Sequence, residues 1–297
     1  MSTDHVGTDH AGTDQVTGEP VTTAANERRA AAGPAERTAG ARPRATGALS
    51  RTAALVRLEV TRALRNKKFL FFSLIYPAGL FLVITAGQGE DVTVGDSGLG
   101  LPAYFMVSMA SFGALTAVLV GNSEQIAKER EKGWVRQLRL TALPGHGYVL
   151  GKMASAAVVS LPSILVVLVV GAAVKGVRLD AWQWLALLGL IWAGSLVFAA
   201  LGVAVGYLAT GDAVRPLTML IYFGLSMLGG LWLPTTNFPH WLQAIADWMP
   251  TRAYAALGQA VEAGGAPHLK DVLVLLAYLL VFVAGAARLY RKDTLKA

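Results

Sequence analysis

Six uninterrupted apolar stretches alternate with polar connections along this chain: Phe69–Ala86, Ala103–Gly121, Met153–Val174, Ala181–Ala209, Pro216–Leu233 and Val272–Ala287. None of them contains an Asp, Glu, Lys or Arg. A helix rises about 1.5 Å per residue, so roughly 20 apolar residues cover a hydrocarbon core of about 30 Å. The pattern therefore predicts an all-α integral membrane protein with six transmembrane helices over residues 69–86, 103–121, 153–174, 181–209, 216–233 and 272–287. The last stretch is short, and Arg288 has to snorkel toward the interface. Pro77 and Pro162 fall within spans, where each removes a backbone hydrogen bond and kinks its helix. Gly202 and Gly206 form a small-xxx-small element suited to close helix contact, within the chain or across a dimer.

Before the first span, Ser50–Asn66 reads as an amphipathic helix with Ser50 as its N-cap. Ala53, Val56, Val60, Ala63 and Leu64 share one face, and Arg51, Glu59, Arg62 and Arg65 share the other. Leu55 and Leu58 intrude on the polar face. This suits a helix lying in the headgroup layer, with a soluble helix docked on a partner as the alternative. Residues 1–48 are rich in Ala, Gly, Thr and Pro, and read as a disordered low-complexity tail. Their opening repeat, Thr3-Asp4-His5, Thr8-Asp9-His10 and Thr13-Asp14-Gln15, is a solvated tail rather than a metal site. The predicted six-span body is then residues 49–297.

Charge orients the spans. With the N-terminus placed in the cytoplasm, the flanks on that side hold 17 Lys and Arg, against 4 on the other side. The positive-inside bias puts both termini in the cytoplasm. Trp182, Trp184 and Trp232 fall at the outer ends of spans, as indole rings prefer, while Trp192 is deeper, either packing or lining a path. The net charge of +7 thus lies beside membrane spans, facing a lipid bilayer, and no nucleic-acid partner is expected. The chain has no Cys, which excludes disulfides and thiolate chemistry.

Two polar connections are more than links. Residues 234–271, on the outer side, contain Trp241, Ile245 and Trp248 at helical spacing between Pro239 and Pro250, which suggests a re-entrant or interfacial helix pair. Residues 122–152, on the cytoplasmic side, open with Asn122, Ser123, Glu124 and Gln125, in which Asn122 and Gln125 resemble a capping box. Glu124 and Lys128 are spaced i,i+4, and Gly133 ends the run after Glu129, Arg130, Glu131 and Lys132. The expectation is a short separate helix that projects from the membrane, followed by Trp134.

Glu129-Arg130-Glu131-Lys132-Gly133, Leu138, Pro144 and Gly151-Lys152 together resemble the cytoplasmic signature of type-2 ATP-binding-cassette exporter permeases. Pro239-His-Trp241-Leu242-Gln243 with Pro250-Thr-Arg-Ala-Tyr254 resembles the same family's stretch between its fifth and sixth spans. The resemblance runs from about Leu49 to the C-terminus. It implies a transport subunit rather than an enzyme. ATP and magnesium would be bound by a separate cytoplasmic ATPase dimer, and this chain would bind no cofactor. A second permease subunit, identical or not, would complete the pore. The helix around Glu124–Gly133 would dock on the ATPase, so Glu129→Ala or Glu131→Ala would impair docking.

Other classes fit less well. Gly145–Met153 is not a phosphate-binding loop, because His146 and Met153 stand where Gly and Ser or Thr are needed. No His lies in a span, so an intramembrane hydrolase has no machinery, and an ion-coupled carrier has no midplane charge. The substrate expected is a hydrophobic, drug-like compound, with a lipid or lipid-linked glycan as an alternative. A membrane sensor signalling through the 122–152 loop is the non-transport alternative. Heavy use of Ala, Gly, Val and Arg suggests a high-GC bacterium and its plasma membrane.

Overall fold

The computed structural model describes residues 57–58, 60–61, 65–87, 92–94, 98–132, 145–209 and 211–296. The chain divides into two units, Met1–Ala48 and Leu49–Ala297, and every described residue belongs to the second. The expected tail, most of the amphipathic segment Ser50–Asn66, and Gly133, Trp134, Leu138 and Pro144 lie outside the described residues.

Among the described residues there are eight helices and no strand beyond an isolated bridge between Thr93 and Gly100. The helices are α1 (Lys67–Ile84), α2 (Leu101–Glu131), α3 (Gly145–Val174), α4 (Ala181–Leu208), α5 (Val214–Leu228), α6 (His240–Ala246), α7 (Pro250–Glu262) and α8 (Leu269–Lys296). Five of these, α1 to α4 and α8, are long and apolar enough to cross a membrane. The stretch expected to be the fifth of six spans is shorter than expected. Helix α5 has 15 residues, about 22 Å of rise, and stops at Gly229 and Gly230. Gly230 has φ +76, a conformation that ends a helix cheaply only at Gly. In the other direction, the helix that carries the last apolar stretch continues past Arg288 to Lys296.

Both prolines lie inside continuous helices, and side chains of neighbouring helices reach the backbone near them. Pro77 cannot donate to the carbonyl of Ser73, the turn before it is a π-helix over Phe71–Ile75, and Ser163 Oγ from α3 donates to that same carbonyl. Pro162 lies inside α3, which runs on through it, and five residues earlier the Trp192 indole of α4 donates to Ala157 O at 2.8 Å. Trp192 is thus an inter-helix anchor. Asp180 and Gln183 form a reciprocal capping box at the start of α4.

Helix α4 is the hub, packing against α2, α3, α7 and α8. Helix α2 is the most enclosed: 89% of its most apolar window is buried, against 17% for α8. Large apolar side chains such as Val83, Leu185, Leu220, Leu280 and Val281 face outward, as a lipid-facing surface requires.

Candidate functional site

The charged motif does not form a separate helix. Helix α2 continues from Leu101 through a π turn at Thr116–Val120 to Glu131 without a break, 31 residues in all. The expected cap at Asn122 is absent because the chain enters that position already helical, with Val120 and Gly121 in the αR region. The polar side chains find other partners. Ser123 Oγ donates to Leu119 O at 2.8 Å and receives Thr218 Oγ1 of α5 at 3.0 Å, and Asn122 lies buried against α4.

Glycine allows this approach. A Cβ on Gly202 would stand 2.8 Å from Val118 O, and one on Gly206 would stand 2.9 Å from Ile126 Cβ. The Gly202–Gly206 element therefore seats α2 against α4 within the chain.

That seating sorts the motif residues into two sets. Asn122, Ser123 and Glu129 are buried, Glu124 and Arg130 are half-buried, and Lys128, Glu131 and Lys132 are exposed. Glu129 Oε1 pairs with Lys152 Nζ of α3 at 2.6 Å and also receives Gln125 Nε2 at 3.2 Å. Both charged side chains of the pair are almost wholly buried, so Glu129 does not project toward a partner as expected. Arg130 Nη1 donates to the carbonyls of Gly206 at 3.1 Å, Tyr207 at 3.4 Å and Ala209 at 3.0 Å. These are acceptors left over at the end of α4, where the helix dipole also favours a cation. The guanidinium lies 5.3 Å over the Tyr207 ring, and that ring meets Tyr290 of α8 edge-on.

Glu124 is the bridge to the surface, 3.5 Å from Lys128 and 3.7 Å from Arg215 at the start of α5. Sequence reading missed the structural roles of Lys152 and Arg215. The available signal was a lone Lys beside an apolar run, which only a burial argument could have paired with Glu129. The 145–152 stretch is the first part of α3, and its Lys is committed to Glu129. Among the described residues no three His, Cys, Asp or Glu side chains gather to hold a metal.

At the other end of α2, the second motif is structural. Pro239 precedes α6 and Pro250 occupies the first position of α7, where a missing N–H costs nothing. Trp241 is exposed and Leu242 half-buried. Tyr254 is wholly buried, packs on Gly194 and Phe198, and donates to Ile191 O at 2.7 Å. Ile191 lies about 15 Å along α4 from its start, whereas Gln183 Nε2 reaches Val261 O and Glu262 O. Helix α7 therefore runs antiparallel to α4, from beside Ile191 back to the start of that helix. The Glu262 carboxylate at its end is buried with neither oxygen hydrogen-bonded, and burial pushes its pKa up to about 8.

A family model described as ABC-2 type transporter matches residues 50–262. The chain is also similar to YvfS of Bacillus subtilis (strain 168), whose assigned name is that of a transport permease. The two are 29% identical over 236 residues, covering 79% of this chain and 95% of YvfS.

Proposed function

The chain belongs to the ABC-2 type transporter family, and on that premise we propose that it is the pore-forming subunit of an ATP-driven exporter of a hydrophobic, drug-like compound. It is a multi-pass membrane protein and a permease component of an ABC-2 type transporter. In our reading, a separate ATPase dimer supplies ATP hydrolysis, a second permease subunit completes the pore, and the Glu131 end of α2 faces the cytoplasm of a bacterium together with both termini.

The observation that carries this reading is the unbroken course of α2. Its exposed tip holds Lys128, Glu131 and Lys132, and its other turns lie at the centre of the bundle. A helix is stiff along its axis, so a push at the charged tip moves the buried turns as one body. Arg130 and the Glu129–Lys152 pair tie that motion to α4 and α3. An ATPase that closes as a rigid body thereby biases the spans between inward-open and outward-open packings. Charges at the tip set partner choice more than affinity.

The test is ATP-dependent movement of a fluorescent hydrophobic drug into inverted vesicles holding this chain and its ATPase. Flux that needs both chains and hydrolysable ATP supports the exporter. Signalling to a partner without flux would favour the sensor reading, and flux driven by an ion gradient alone would sink both.

A further inference from the structure

Helix α7 ends against the start of α4, and the joint between them holds a carboxyl group that the transport reading does not use. Gln183 Nε2 of α4 donates to the backbone carbonyls of Val261 at 2.8 Å and Glu262 at 3.1 Å. The last turn of α7 closes with Ala263 N–H donating to Gln259 O at 3.0 Å and Gly265 N–H to Ala260 O at 2.9 Å. The chain then turns away at Gly264, whose φ is +78. Glu262 is only 6% exposed in this joint, yet neither oxygen of its carboxyl group has a hydrogen bond.

The ionisable groups around the joint are engaged elsewhere. The Asp180 side chain caps the first turn of α4, Lys175 before it donates to Thr85 O, and Arg178 is exposed. On α2 the Tyr104 hydroxyl meets Gly230 O, and on α5 Arg215 meets Glu124 while Tyr222 meets Thr116. Arg252, ten residues earlier on α7, is held by Gln259. Beside α8, Lys270 lies over Trp248, and Asp247, His268 and Asp271 act on one another. Among the described residues no ion pair reaches Glu262, and burial alone pushes its pKa up. A carboxylate in the last turn of a helix also opposes the helix dipole. A neutral carboxyl can stay buried here at modest cost, whereas an unpaired carboxylate cannot. The exposed run from Ala263 to Ala266, with two Gly, gives this turn room to leave without moving the spans.

We propose that Glu262 is a proton-operated latch: protonated, it keeps the last turn of α7 seated on Gln183, and ionised, it frees that turn from α4. The latch stands on this joint alone. Only the further step, that the controlling pH is that outside the cell, rests on the exporter reading.

In the seated turn the carboxyl keeps its proton up to about pH 8, and in the freed, hydrated turn it returns to the ordinary value of 4.5. Between these values each pH unit favours the freed turn about tenfold, and above them the preference levels off. Hydrogen–deuterium exchange of the purified full chain in phosphatidylcholine nanodiscs, with no ATPase or nucleotide present, measures this opening. After correction for the intrinsic pH dependence of exchange, protection over residues 258–265 should fall about tenfold per unit between about pH 5.5 and 7.5, then level off. Residues 198–205, in the middle of α4, should keep theirs. Glu262→Gln is neutral at every pH, so it should hold the low-pH protection throughout. A flat wild-type profile, the same fall in Glu262→Gln, or an equal fall over residues 198–205 would overturn the latch. The wild-type profiles decide this even where the variant fails to fold. A flat profile leaves the vesicle transport test untouched, and failed transport leaves the exchange result standing.

Discussion

The two ends of α2 treat polar groups in opposite ways. At the Glu131 end every buried charge has a designated partner: Glu129 has Lys152 and Gln125, and Arg130 has three carbonyls and an aromatic face. At the Leu101 end Ser108, Arg252, Gln259 and Glu262 all keep buried atoms with no hydrogen bond. A satisfied network rigidifies, whereas an unsatisfied one stores free energy that a ligand, a proton or a rearrangement can release. The first end is built to transmit force, and the second is built to respond.

The sharpest way to break this contrast is to strand a charge at the satisfied end. Glu129→Ala takes from the buried Lys152 its carboxylate partner, and Lys152→Met takes from the buried Glu129 its ammonium partner. Either should cost about 3–5 kcal/mol, whereas the double replacement Glu129→Leu with Lys152→Met should recover most of it. Thermal melting of the four proteins in nanodiscs checks this cycle. Additive losses in the double variant would mean the pair is not the unit of stability.

The responsive end should show itself through pH. The Glu262 carboxyl is raised from the ordinary carboxylate value to about 8 by burial alone. The folded chain therefore holds a proton that the unfolded chain releases above about pH 4.5. Stability from this group is full below that value, falls as pH rises toward 8, and is flat beyond it. Glu262→Gln removes the slope. It should match wild type near pH 4.5 and exceed it by on the order of a few kcal/mol at pH 8. Parallel melting curves across that range would contradict an unpartnered, buried carboxyl.

A smaller loss tests the seam between α2 and α4. Gly202→Ala puts a methyl group 2.8 Å from Val118 O and 3.0 Å from Leu119 O, both backbone atoms that cannot swing aside. The helices must separate, at a cost of about 1–3 kcal/mol. Gly189→Ala, on the same helix with open space at its Cβ, is the control and should be neutral or slightly stabilising.

The contrast between the ends was legible in the sequence only in part. Five of the six apolar stretches coincide with helices long enough to cross a membrane, because a helix satisfies its own backbone groups in lipid. The small-xxx-small pair was visible, but not which helix it would meet. Asn122 with Gln125 looked like a helix start because capping patterns are short and recur inside helices. Here Ser123 satisfies itself on Leu119, so nothing stops the helix. The Gly229-Gly230 stop was present in the letters and outweighed by the apolar residues beside it. The Glu129–Lys152 pair spans 23 positions and two helices, so neither residue's burial followed from local pattern. Arg252 was tallied among the four basic residues of the outer side, and no local pattern showed that it would lie half-buried with its guanidinium on Gln259.

The smallest expected effect on stability carries the most about function. Lys128, Glu131 and Lys132 form the exposed part of the α2 tip, and replacing exposed charges usually changes stability by less than about 0.5 kcal/mol. Lys128 does hold Glu124 at 3.5 Å, but that pair is solvent-screened and worth little. Reversing Glu131 to Lys, or Lys128 to Glu, should therefore leave melting unchanged. If the tip is what an ATPase grips, the same reversals should weaken co-purification with that subunit and slow ATP-dependent flux. They should do so more strongly at low salt, where exposed charges act at longer range. Glu129→Gln gives the opposite signature: it removes the buried charge, lowers the melting temperature, and alters docking only through the loosened helix. If tip reversals leave co-purification and flux at wild-type levels while Glu129→Gln abolishes both without loss of stability, the grip is not at the exposed tip. The division of the motif into an outward set and an inward set would then be wrong.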